Sequence, residues 1–117
     1  MINPRFDIKL LPEAVDFLDS LDEKSRDKVL YNLKKAQLVV DNELLKKLNE
    51  TIWEFRTIYK GNSYRLFAFW DKIDSQQALV ISTHGINKKS QKTPSKEISK
   101  AEEIRKQYLQ NKANNER

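Results

Sequence analysis

Phe6, Ile8 and Leu10 alternate with Arg5, Asp7 and Lys9, the two-residue period of a short half-buried strand. Helical spacing replaces it after Pro12, a residue suited to a first helical turn because its missing N–H has no partner to lose there. Ala14, Val15, Leu18 and Leu21 mark this first helix. Asp22 can cap a second one, and Glu23 complements its positive end. Val29, Leu30, Leu33, Ala36 and Val40 then form a core-facing stripe with Gln37 as its polar interruption, so the two helices make a hairpin joined at Leu21-Asp22. Asp41-Asn42 breaks the pattern. Leu44, Leu45 and Leu48 suggest one or two further helical turns before Asn49, as a connector.

The stretch from Thr51 to Pro94 carries three strand-like runs. From Ile52 to Tyr59, Trp53 and Phe55 project to one face while Glu54 and Arg56 project to the other. Lys60-Gly61-Asn62-Ser63 reads as a hairpin turn in which Gly61 supplies a positive φ. Tyr64 to Trp70 is apolar on both faces apart from Arg65, the pattern of a central strand covered on both sides. A turn over Asp71 to Gln77 leads to a β-branched run, Ala78 to His84, and a polar loop follows His84-Gly85. Thr93 and Pro94 suit the cap and first position of a last helix, along which Ile98, Ala101, Ile104, Arg105 and Tyr108 lie at near-helical spacing.

These elements predict an α+β fold: an N-terminal strand and a helical hairpin packed on an antiparallel β-meander, with helices over one face and a C-terminal helix. A chain of 117 residues suits a single domain, here residues 1–111, with residues 112–117 expected to fray as a C-terminal tail. Two of its 117 residues are glycine, 38% are hydrophobic and 33% charged, values that fit a compact soluble fold rich in helix better than a disordered segment. The absence of cysteine removes disulfides, thiol nucleophiles and zinc–thiolate sites, and one histidine cannot build a histidine-rich metal centre. No metal and no small-molecule cofactor are expected. No apolar run approaches a membrane span and the first ten residues lack the apolar core of a secretory signal, so the expected location is the cytoplasm.

Charge changes the picture once it is located. The net charge is +5; residues 1–87 carry 13 basic and 13 acidic side chains, whereas residues 88–117 carry 9 basic against 4 acidic. A positive field confined to the last thirty residues favours encounter with a polyanion such as RNA or DNA, although a solvated basic tail has the same composition. Arg65 is the leading candidate within this frame. Its guanidinium can fork two phosphate oxygens, and among aromatic neighbours it requires a partner: a phosphate, or Glu54 or an aspartate across the sheet. Arg56 is similar but nearer an edge. Lys88, Lys89 and Lys92 place three cations in five residues between a strand and a helix N-terminus, where anions are often received, and Lys96 extends the phosphate-binding set. His84 can exchange protons near neutral pH or serve as a hydrogen-bonded strand-end residue. Trp53, Phe67, Phe69 and Trp70 read as core, with Tyr59, Tyr64 and Trp70 as base-stackers where exposed.

Taken in order, Trp53-Glu54-Phe55-Arg56, Tyr64-Arg65-Leu66-Phe67 with Trp70, His84-Gly85 with Lys88-Lys89, and Gln91-Lys92-Thr93-Pro94 with Glu97-Ile98 resemble the RelE/ParE toxin superfamily. The likeness is strongest to its phage-associated HigB-like branch, covers nearly the whole chain and includes Phe17-Leu18 and Leu21. The resemblance implies a RelE-like fold with a concave basic face, and a type II toxin that cuts messenger RNA in the ribosomal decoding site. It also implies a cognate helix-turn-helix antitoxin, with the ribosome and mRNA as the other partners. By position, Arg65 matches the arginine that holds the scissile phosphate, Lys88 or Lys89 the basic residue after the last strand, and Arg56 a less constant basic position. Glu54 stands where some relatives carry lysine. The loop offers Ser90, Gln91 and Thr93 where several relatives have a tyrosine or second arginine. A metal-free 2′-hydroxyl attack then leaves His84 or Glu54 as base and Lys88 or Lys89 as acid or phosphate clamp. The ParE branch shares the scaffold, so a non-catalytic DNA gyrase inhibitor is the alternative reading; a non-toxic nucleic-acid-binding protein is the third.

Overall fold

Residues 4–71, 79–88 and 93–115 are described by a computed structural model. Asp7–Leu10 forms β1, followed by α1 (Pro12–Ser20) and α2 (Glu23–Leu38). Asp22 caps α2 as expected, its carboxylate accepting the Ser25 amide at 3.1 Å. Gln37, the polar interruption in the helical stripe, has a structural use: its side chain donates to the Phe6 carbonyl at 2.9 Å. Arg5 donates to the Ala36 and Val39 carbonyls, closing the end of α2 whose last C=O groups lack helical partners. The segment entering β1 is thereby tied to the helix.

The remaining elements are β2 (Leu45–Lys47), β3 (Trp53–Tyr59), β4 (Asn62–Asp71), β5 (Leu79–Lys88) and α3 (Ser95–Asn115). The sheet has the order β1-β5-β4-β3-β2, with β1 parallel to β5 and the other pairs antiparallel. It is therefore a meander extended at both edges. The Leu44-Leu45-Leu48 segment is a strand instead of the expected helical turns: Asp41 turns the chain, its side chain accepting the Glu43 amide, and Leu45–Lys47 then pairs with Phe55–Trp53. A run of that length is too short for periodicity to separate the two states, and the free edge of β3 decides the matter. The β3–β4 hairpin is tighter than expected, with Lys60 and Gly61 both at positive φ (50° and 79°), as a two-residue turn matching strand twist requires.

Alternation along β4 divides the core. Tyr64, Leu66 and Ala68 pack with Leu18, Val29 and Leu33 under α1 and α2, while Phe67 and Phe69 pack with Ile52, Ile81 and Ala101 under α3. The helices consequently cover both faces, which corrects the expectation of helices on one. The last helix, α3, continues to Asn115, and Lys112 binds Asp71 at 3.0 Å and 3.2 Å. The turn expected over Asp71 to Gln77 lies, after Asp71, outside the described residues. Among the described residues no helix is long and apolar enough to cross a membrane.

Candidate functional site

Glu54, Arg56 and Arg65 meet on the α3 face because β3 and β4 pair Arg56 with Arg65 and Glu54 with Phe67. Arg65 is 2% exposed and Glu54 1%. The Arg65 Nη1 atom donates to Glu54 Oε1 at 2.6 Å, its Nε donates to Ser63 Oγ at 2.8 Å, and Arg56 Nε lies 3.8 Å from the same Glu54 oxygen. Thr93 Oγ1 donates to Glu54 Oε2 at 2.6 Å from the segment leading into α3. One carboxylate thus sits between two guanidiniums and a hydroxyl. Both its oxygens already accept hydrogen bonds, an arrangement better suited to holding the arginines than to taking a proton from substrate. Arg56 is the more accessible cation, its side chain 18% exposed.

His84 is placed by an irregularity. Leu66 pairs with Gly85 and Ala68 with Ser82, so β5 has one extra residue opposite Phe67, a bulge that re-aims the side chains it contains. The strand also runs on to Lys88, so His84 lies within β5 and the polar loop does not begin at His84-Gly85 as expected. The imidazole stacks on Phe67 with centroids 4.9 Å apart, and Nδ1 lies 3.1 Å from Thr83 Oγ1. The Thr83 hydroxyl donates to the Phe67 carbonyl at 3.2 Å, which assigns the ring proton to Nδ1 and leaves Nε2 as an acceptor. Nε2 is buried without a hydrogen-bond partner among the described residues, 3.8 Å from Glu97 Oε2. The residue also lines an open cleft with Glu13, Asp16, Phe17, Gly85 and Lys100. Gly85 is required here: a Cβ would come within 2.3 Å of the Phe17 ring.

Phe67 separates the two clusters, pairing with Glu54 on one side and stacking on His84 on the other. Among the described residues no hydrogen bond or ion pair joins His84 to Glu54, Arg56 or Arg65. Burial holds the His84 pKa below its ordinary value; Lys100 adds to the effect, and Glu97 and Glu13 oppose it. The fold prefers the neutral ring, so His84 contributes stability above about pH 6.5 that is lost as pH falls through its lower folded value. Thermal melts from about pH 7.5 to about pH 5 should show wild type losing more stability than His84→Gln; equal losses in both would remove this account.

The lysines are more dispersed. Lys88 ends β5, its backbone in register with Ser63 and so beside the residue that binds Arg65. Lys89 and Lys92 lie outside the described residues. Lys96 is exposed in the first turn of α3.

A model of the family described as phage derived protein Gp49-like (DUF891) matches residues 16–106, a span running from within α1 to the middle of α3 and holding Glu54, Arg56, Arg65, His84, Lys88, Lys89, Lys92 and Lys96. The chain belongs to the Gp49-like family. This is a RelE/ParE-related toxin family, consistent with a RelE-like toxin. A comparison with curated proteins finds no match.

In this Gp49-like chain several participants were not legible as such. Ser63 reads as a turn residue and Thr93 as a helix cap, yet each bonds a member of the arginine cluster. The Asp71–Tyr108–Lys112 cluster was also missed. Tyr108 donates to Asp71 at 2.9 Å, and burial with that carboxylate pushes the phenol up to about 12. The available signal was the i, i+4 spacing of Tyr108 and Lys112 on one helical face.

Proposed function

We propose that this Gp49-like protein is a HigB-like toxin that cleaves messenger RNA on the ribosome, with the two-arginine cluster as its phosphate site. The observation that supports this reading is the convergence of Arg56 and Arg65 on Glu54. A carboxylate and a phosphodiester both present paired oxygens to a guanidinium, so an RNA phosphate can take over contacts that Glu54 now makes. Two cations against one anion leave the cluster positive. Lys88 follows at the strand end, and Lys89, Lys92 and Lys96 extend the charge along the sequence.

In the reaction the ribose 2′-hydroxyl attacks the adjacent phosphorus in line. Its proton passes to a base, the P–O5′ bond breaks, and an acid protonates the leaving oxygen, giving a 2′,3′-cyclic phosphate and a 5′-hydroxyl end. Arg56 and Arg65 stabilise the added negative charge, each well-placed donor contributing about 3–4 kcal/mol. His84 is the candidate base in the right protonation state, and Lys88 or Lys89 the candidate acid. Because His84 lines another cleft, the decoding site of the ribosome supplies the geometry that brings the strand across both clusters. The protein works in the cytoplasm, and a helix-turn-helix antitoxin is its neutralising partner.

The separation of His84 from the arginines also favours a second reading, a non-catalytic inhibitor of DNA gyrase. Expression in cells separates the two. The RNase reading predicts growth arrest with new, codon-linked mRNA 5′ ends and normal supercoiling. Arrest with intact mRNA and poisoned gyrase would replace it with the second.

A further inference from the structure

Both tryptophans of the chain line a groove of about 770 Å³ where the ends of β2, β3 and β4 meet the second half of α3. Trp53 and Trp70 are diagonal neighbours on adjacent strands, their rings edge-to-face at 6.0 Å and 86°. Phe6 holds Trp70 from its other side at 5.1 Å, so the aromatic wall is fixed in place before any ligand arrives. Both indoles lean on the core under α1 and α2 and reach the groove at the strand ends, where α3 adds Arg105, Leu109 and Lys112, a helical i, i+4, i+7 stripe, and β2 contributes Lys47.

The charges in this groove are unequally committed. Lys112 is neutralised by Asp71 at 3.0 Å, and Lys47 lies 3.9 Å from Glu50, whereas Arg105 forms no ion pair among the described residues. A half-buried guanidinium is thus available beside two indoles. That combination fits a ligand with both an aromatic face and an anion, spaced by a flexible backbone: a nucleotide within a single strand. A base inside a duplex has no free face to offer the indoles, and the volume falls within the range of sites for compact ligands, about 300–1,000 Å³.

We infer that this groove binds single-stranded RNA, stacking a base on the Trp53–Trp70 wall and holding an adjacent phosphate on Arg105. The inference rests on the RNA-cleaving reading above for the identity of the strand. It adds a second contact, lined by residues other than those of the Glu54 cluster and the His84 cleft, that holds the message away from the point of scission.

Tryptophan emission reports on this groove, because both tryptophans of the chain line it. Titration of the purified protein with a short unstructured oligouridylate should quench that emission saturably, and Arg105→Glu or Arg105→Gln should weaken binding about tenfold with unchanged thermal stability. Absence of quenching, equal quenching of the Arg105 variants, or equal quenching by duplex RNA would overturn the inference. The assay needs no ribosome and reads no cleavage. A failure here therefore leaves the mRNA 5′-end maps untouched, and a failure of those maps leaves this binding result standing.

Discussion

Arg65→Ala is expected to destabilise the protein by about 3–5 kcal/mol, the cost of leaving one member of a buried ion pair without its partner. The Glu54 carboxylate, 1% exposed, would retain the Thr93 hydroxyl and an Arg56 nitrogen 3.8 Å away. Those contacts replace neither the 2.6 Å bond nor the charge. Replacing both residues by leucine should recover most of the loss, because a matched apolar pair leaves no buried charge. Chemical denaturation of the two single variants and the double variant measures this coupling directly. A change below about 1 kcal/mol for Arg65→Ala, the range of an exposed pair, would contradict the buried pair. Loss of toxicity in Arg65→Ala carries information about chemistry only when the folded fraction is measured beside it.

Arg56→Ala should behave in the opposite way. Its only ion pair among the described residues is the 3.8 Å approach to Glu54 and its side chain is partly exposed, so stability should change by less than about 1 kcal/mol. Cleavage on mRNA-programmed ribosomes should nevertheless fall about 10²- to 10³-fold, as expected when a donor aimed at developing charge is removed. Arg56→Lys should recover only part of the rate, since an ammonium supplies charge without the planar fork. Single-turnover cleavage rates check both statements. A drop of less than about tenfold in Arg56→Ala would remove Arg56 from the phosphate site.

The sequence patterns located the strands and helices well where periodicity was long and neighbours were local. The Asp22 cap and the Gly61 turn could be read from residue types a few positions apart, and Glu54, across the hairpin from Arg65, was one of the partners open to it. What was hidden depends on tertiary placement. Leu45–Lys47, in the leucine-rich segment after Asp41, became β2 because β3 had an unpaired edge, and β1 chose a parallel partner that its own alternation could not specify. The bulge opposite Phe67 carries no local signature, yet it turns His84 away from the arginines and toward α1 and α3. The basic face expected to be open is crossed by α3, whose packing stripe of Ile98, Ala101 and Tyr108 was legible while its docking side was not. Individual candidates were therefore easier to name than the set that acts together.

That point bears on Glu54, which in sequence stood as a possible base and in the structure holds two arginines. The most direct measurement is the cleavage rate of Glu54→Gln on programmed ribosomes, with folding verified by its melt. Glutamine preserves the shape, its oxygen accepting from Arg65 and its amide N–H donating to the Thr93 hydroxyl in place of the bond that Thr93 now donates, while it removes the charge that competes with phosphate. The account predicts mRNA binding at least as tight as wild type and cleavage at a comparable or higher rate. A loss of about 10²- to 10⁴-fold, the contribution of a general base, would contradict it.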